Sequence, residues 1–147
     1  MKHTRWVLAF LLAPLTAAAC QFEHRTQEEV FAHAKSVFRA RVVEVRLAKF
    51  MNPAKGVEQA DIVEGKFEVE EVYKGAPPAS GIVRDLVLLP GNCSLGLFPG
   101  WEYVFVPDEQ GFVLLPSQSI AFFNADAPEP KKAIDLFRTM AGKSAAR

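Results

Sequence analysis

Val37-Phe38-Arg39-Ala40-Arg41-Val42-Val43-Glu44-Val45-Arg46-Leu47-Ala48-Lys49-Phe50 is the stretch on which the fold turns. Phe38, Ala40 and Val42 alternate with charged neighbours on one parity, and Val43, Val45 and Leu47 continue on the other, so the apolar phase slips at Val42-Val43. Successive side chains of a strand point to opposite faces, and an uncompensated slip of one residue would carry the apolar set to the wrong side. A β-bulge absorbs the surplus residue and bends the strand. The stretch therefore predicts one long, bent strand.

Outward from it, Met51 to Gln59, with Asn52-Pro53 and Gly56, reads as a polar excursion. Asp61 to Tyr73 alternates again, with Phe67 and Val69 inward and Lys66, Glu68 and Glu70 toward solvent, and stops at Lys74-Gly75. The carboxylates from Glu64 to Glu71 accordingly read as a solvated strand face. After the loop of residues 76–81, Ile82 to Leu89 predicts a third strand, and the turn Pro90-Gly91-Asn92 leads into Cys93. Trp101 to Val106 and Phe112 to Leu115 predict a fourth and a fifth. Upstream, Thr26 to Lys35 places Val30, Phe31 and Ala34 at helical spacing behind Thr26, Glu28 and Glu29. Downstream, Lys132 to Met140 puts Ile134, Phe137 and Met140 on one helical face behind Pro128 and Pro130, a stripe that packs on the strands.

The expected fold is mainly β, a five-stranded Greek-key barrel of the OB type with a short N-terminal helix and a C-terminal helix, a β-sandwich being the alternative. Trp101, Tyr103 and Phe105 share one face of their strand. Val104 and Val106 occupy the other, so the strand reads as buried on both sides rather than as a base-stacking platform.

The two ends set the compartment. Lys2 and Arg5, the apolar run Trp6 to Leu15 and the small residues Ala17, Ala18 and Ala19 form an export signal over residues 1–19. Residues 20–127 then form the domain, and residues 128–147 the C-terminal helix and tail. The chain has 17 basic and 17 acidic residues, and loss of Lys2 and Arg5 leaves acid in excess by two, so nucleic acid is not an expected partner. Cys20 and Cys93 are the only cysteines, and in an exported chain an even count predicts a disulfide between them. A cysteine directly after a small-residue run also resembles a lipoprotein signal, in which the Cys20 thiol carries a lipid and anchors the protein to the outer membrane. The expected location is periplasmic or extracellular in the first case.

His24 and His33 stand apart from any other metal-ligating pattern, and no nucleophile elbow, phosphate loop or paired-carboxylate signature occurs. The sequence thus gives no support to an enzyme and predicts no cofactor.

Ala34-Lys35-Ser36-Val37-Phe38-Arg39-Ala40-Arg41-Val42-Val43, Phe67-Glu68-Val69-Glu70-Glu71-Val72-Tyr73-Lys74-Gly75, Cys93, and Gly100-Trp101-Glu102-Tyr103-Val104-Phe105 together resemble the netrin-like domain of tissue inhibitors of metalloproteinases, in its bacterial exported branch. The likeness spans Cys20 to Leu115. It implies an OB barrel that holds its first cysteine by a disulfide and binds a protein partner, a zinc metalloprotease, as a monomer. The α-amine and carbonyl of Cys20 would chelate the partner's zinc, Gln21 and Phe22 would enter its cleft, and Cys93 and Ser94 would lie beside them. The family's usual Cys-x-Cys start is here Cys20-Gln21-Phe22, so the second anchoring disulfide is missing. An oligosaccharide-binding OB module is a more distant expectation, since few aromatic residues are free to stack on sugars.

Overall fold

A computed structural model describes residue 20, residues 25–51 and residues 59–145. The segment 1–19, Gln21, Phe22, His24 and all of the Met51 to Gln59 excursion except its two ends lie outside the described residues. The described strands are β1 (Val37–Met51), β2 (Gln59–Lys74), β3 (Ser80–Leu86), β4 (Glu102–Phe105) and β5 (Ile120–Phe122), flanked by the helices α1 (Gln27–His33) and α2 (Pro128–Ala145). The strands form one antiparallel sheet in the order β3-β2-β1-β4-β5.

β1 and β2 form the spine. Val42 pairs with Phe67 and Glu44 with Lys66, which leaves Val43 without a partner at the position where the apolar phase slips. Val42 is fully buried and Val43 exposed, so the bulge ejects the surplus residue and returns Val45 to the interior side. Two further shifts leave Glu70 and Tyr73 of β2 unpaired. Each bulge adds local twist, and three along one ribbon coil it. Gly75 then ends β2 with φ +75, where a Cβ would collide with the carbonyl of Lys35.

The sheet buries both faces. Phe38, Ala40, Val42, Phe67, Val83, Tyr103, Phe105 and Val113 pack together inside the curl, with Phe38 and Phe67 rings 5.1 Å apart. On the other face Val37, Tyr73, Val104, Val106 and Phe122 meet Phe31 of α1 and Ile134, Phe137 and Met140 of α2. The expected apolar stripe of the closing helix is therefore core, with Tyr73 stacked on Phe137 at 5.7 Å. β4 supplies alternate residues to the two cores, as its double-sided pattern predicts.

The larger departures from the sequence reading fall at the fifth strand, β3 and α2. Phe112 to Leu115 is not the fifth strand: Phe112 makes a single parallel bridge to Arg84, and Leu115–Ser117, which includes Pro116, turns as a 3-10 helix. Arg84 N–H donates to the Gly111 carbonyl at 2.8 Å and Val113 N–H to the Arg84 carbonyl at 2.9 Å, tying the β3 edge back to the chain that leaves β4. That tie is compatible with a curled OB-type barrel. The fifth strand is instead Ile120–Phe122, three residues long and too short to display periodicity. β3 ends at Leu86 rather than Leu89. α2 starts at Pro128, because first-turn N–H groups lack intrahelical partners and prolines there cost nothing in hydrogen bonding.

α1 is secured at both ends. Thr26 accepts from Glu29 N–H while the Glu29 carboxylate accepts from Thr26 N–H, a capping box. At the other end Lys74 Nζ donates to the carbonyls of Phe31 and Ala32, both at 2.7 Å.

Lys66 and Glu68 face solvent as expected, and Glu70 is exposed but pairs with Arg39 at 3.0 Å and Arg41 at 3.3 Å; Glu64 and Glu71 are likewise engaged in ion pairs. Glu64 meets Arg46 at 2.7 Å and Arg84 at 3.4 Å. Glu71 takes a two-pronged grip from Arg138 of α2, at 2.8 and 2.9 Å. Arg138 beside it holds the Glu71 carboxyl below its ordinary value of 4.5. A depressed folded-state pKa adds stability above the unfolded value that is lost as pH falls through the folded one. Glu71→Gln should thus cost about 1 kcal/mol at neutral pH, since Arg138 is half exposed and screened. It should also flatten the acid decline of the urea midpoint. Parallel pH profiles for the two proteins would refute this.

Candidate functional site

Between β3 and β4 the chain leaves the sheet from Val87 to Trp101 without helix or strand. Backbone groups of such an excursion need partners from elsewhere when they are buried. Three side chains provide them. Asn92 accepts from Ser94 N–H at 3.1 Å and donates to the Val87 carbonyl at 2.6 Å. Asp85, the next inward position after Val83 on β3, is fully buried and accepts from Ser94, Leu95, Gly96 and Leu86. Tyr103 of β4 donates its hydroxyl to the Gly96 carbonyl at 3.0 Å and accepts from Phe98 N–H at 2.8 Å.

Cys93 sits in this stitched excursion and is bonded to Cys20, with Cα atoms 5.2 Å apart across 73 residues of sequence. The Cys93 carbonyl also accepts from Leu115 N–H at 2.9 Å. The disulfide thus joins Cys20 to a loop held from two sides. Ser94 is next to Cys93, but its side chain is buried and turned inward, its Oγ donating to Asp85 at 2.9 Å. Of the expected site residues, the structure brings together Cys20, Cys93 and Ser94. Gln21 and Phe22 lie outside the described residues.

Burial pushes the Asp85 carboxyl above its ordinary value, and its donors, the Gly96 N–H and Ser94 hydroxyl foremost, pull it part of the way back. Burial likewise pushes the Tyr103 hydroxyl up to about 12, which keeps it a neutral donor across the physiological range. Neither Asp85 nor Tyr103 was singled out as a polar anchor from sequence. A signal was available: Asp85 shares the inward parity of Val83, and a carboxylate there requires a set of donors.

Exposed apolar side chains lie on both sides of Cys93 in the chain, Leu88 and Leu89 before it and Phe98 after it. Leu88 and Phe98 flank Gly96. Phe98 touches Trp101, with ring centroids 4.9 Å apart, and Trp101 touches Phe123 at 5.6 Å. Phe123 is 80% exposed, and Leu88 and Leu89 are 59% exposed each. Apolar side chains grouped on a surface are a feature that contacts with other molecules use. The three rings are inclined to one another by 39° and 72°, unlike the flat platform that stacks on a sugar or a base.

Among the described residues no group of His, Cys, Asp or Glu is placed to hold a metal ion, and no helix is long and apolar enough to cross a membrane. An open groove of about 470 Å³ lies between α1 and the segment after β4, rimmed by His33, Lys35, Asp108 and Glu109. Its Lys35–Glu109 ion pair, at 2.7 Å, is largely exposed to solvent. No protein-family model matches the chain, and no curated protein matches it significantly.

Loss of the disulfide releases a long closed loop. Replacing Cys20 and Cys93 by Ser together should lower the unfolding free energy by up to about 4 kcal/mol on the chain-entropy argument. Urea denaturation with and without reductant measures it. A loss below about 1 kcal/mol would mean that holding Cys20 in the folded state costs nearly as much freedom as the bond removes from the unfolded chain.

Proposed function

We propose that the protein is an exported, non-catalytic protein-binding module of the kind represented by tissue inhibitors of metalloproteinases, a monomer that engages a zinc metalloprotease through Cys20. The observation that carries the reading is the Cys20–Cys93 disulfide. A thiol in a disulfide cannot carry a thioether-linked lipid, and a residue 20 tied to the barrel presents its backbone at a fixed place. Cleavage after Ala19 would leave the Cys20 α-amine free. With a pKa of about 8 such an amine has a lone pair available near neutrality, and a catalytic zinc keeps an open coordination position.

The exposed Leu88, Leu89, Phe98 and Phe123 next to the same loop support a protein partner, since apolar and aromatic side chains form the desolvated centre of an interface. With one tether instead of two, more freedom is lost on binding, so inhibition is weaker or narrower than a doubly tethered start would give. The alternative is a lipid-anchored envelope protein with a structural or assembly role. It requires a lipid on Cys20 and an unpaired Cys93.

Intact mass and N-terminal sequencing of the exported protein separate the two. The inhibitor reading expects Cys20 as the first residue and a mass two hydrogens below the dithiol. A diacylglyceryl increment on Cys20 would overturn it. The mature protein should then slow a panel of zinc metalloproteases, and one added Ala before Cys20 should abolish the effect. Undiminished proteolysis with the protein in excess would refute inhibition.

A further inference from the structure

Asp85 is a carboxylate with no exposed surface, placed on β3 at the inward position beyond Val83. Leu86 N–H and Leu95 N–H reach its Oδ1 at 2.8 and 3.3 Å, and Ser94 Oγ and Gly96 N–H reach its Oδ2 at 2.9 and 2.8 Å. Three of these donors come from the consecutive residues 94, 95 and 96. Gly96 has φ +78, the left-handed region in which a glycine turns the chain without strain, and its N–H also lies 3.1 Å from Ser94 Oγ. A carboxylate meeting three successive residues fixes the path of a turn that no sheet ladder fixes. That turn starts directly after Cys93.

We infer that Asp85 is the positioning residue of the Cys20 end: its carboxylate shapes the Ser94–Gly96 turn, the turn fixes Cys93, and the disulfide passes that position to Cys20. The functional weight of this inference rests on the reading of Cys20 as the binding end, but the geometry does not depend on it. Leu115 N–H, bonded to the Cys93 carbonyl, steadies Cys93 from the opposite side. Tyr103 is the other titratable group of the cluster, and its hydroxyl donates to Gly96 without bonding to Asp85. Removing the carboxylate leaves the Leu95 N–H and the Ser94 hydroxyl without their acceptor and the Gly96 N–H with Ser94 Oγ alone, so the turn loosens.

The thiol–disulfide equilibrium of the mature protein with glutathione reads this directly. The protein disulfide and two glutathione thiols exchange for the protein dithiol and one oxidised glutathione, so the constant gives the effective concentration of one cysteine thiol about the other. Asp85→Asn keeps the shape but offers one acceptor oxygen in place of two. It should lower the effective concentration at least about tenfold, the ratio expected for loss of a buried hydrogen bond to a charged group. Ser94→Ala, which removes one donor and keeps the carboxylate, should give a smaller drop in the same direction. Glu71→Gln, which weakens the fold away from the loop, should leave it unchanged.

If Asp85→Asn does not fold when reduced, Ser94→Ala decides alone. An effective concentration unaltered in the folded variants overturns the inference, as does an equal fall in Glu71→Gln, which would make the effect one of general stability. The measurement involves no protease, so its failure is separate from failure of the inhibitor reading. Where the mature protein does inhibit a metalloprotease, Asp85→Asn should weaken inhibition by a similar factor.

Discussion

The pairing of β1 with β2 is the constraint from which the other elements take their places. These two strands run 15 and 16 residues, and a flat ribbon of that length would present one face along its whole extent. Releasing Val43, Glu70 and Tyr73 from register coils it instead. One end of β1 can then pair with β4 while the other end runs alongside β2 alone. The coil also makes an inside for Phe38, Phe67, Val83 and Phe105 and an outside on which the helices lie. The bulge at Tyr73 matters in its own right, because that ring reaches the outer core and stacks on Phe137.

A sheet buried on both faces leaves little room for polar groups, and the protein concentrates them in two places. On the helix side, Arg39 pairs with Glu70 and Glu102 and Arg138 grips Glu71, so charge neutralises charge where the apolar contact ends. These pairs are partly exposed and contribute modestly to stability. The Arg39 pairs join β1 to β2 and β4, and the Arg138–Glu71 pair ties α2 to the sheet. In the excursion between β3 and β4, Asp85, Asn92 and Tyr103 satisfy a backbone that the sheet has released. That second set organises the segment that contains Cys93, and so the segment that receives Cys20.

The site therefore combines a rigid support with an exposed apolar border. Leu88, Leu89, Phe98 and Phe123 remain at the surface although the chain has ample core, a distribution that serves contact better than stability. The disulfide gives the chain end one covalent tether, onto a loop fixed from within.

The sequence by itself determined the spine, the two helices and the cysteine pair. Val42-Val43 carries the phase slip in its own alternation, Ile134, Phe137 and Met140 carry the helical stripe, and a chain with two cysteines has one way to pair them. Each of these is a local period or a count. The tertiary structure alone decided which short segment pairs with β4, because Ile120–Phe122 is shorter than any readable period, while Phe112 meets β3, not β4, in a single bridge to Arg84. It alone decided that Ser94 faces inward and that Asp85 anchors the disulfide loop. The partners of a buried carboxylate are chosen by how the chain crosses itself, and alternation along one strand does not encode that crossing.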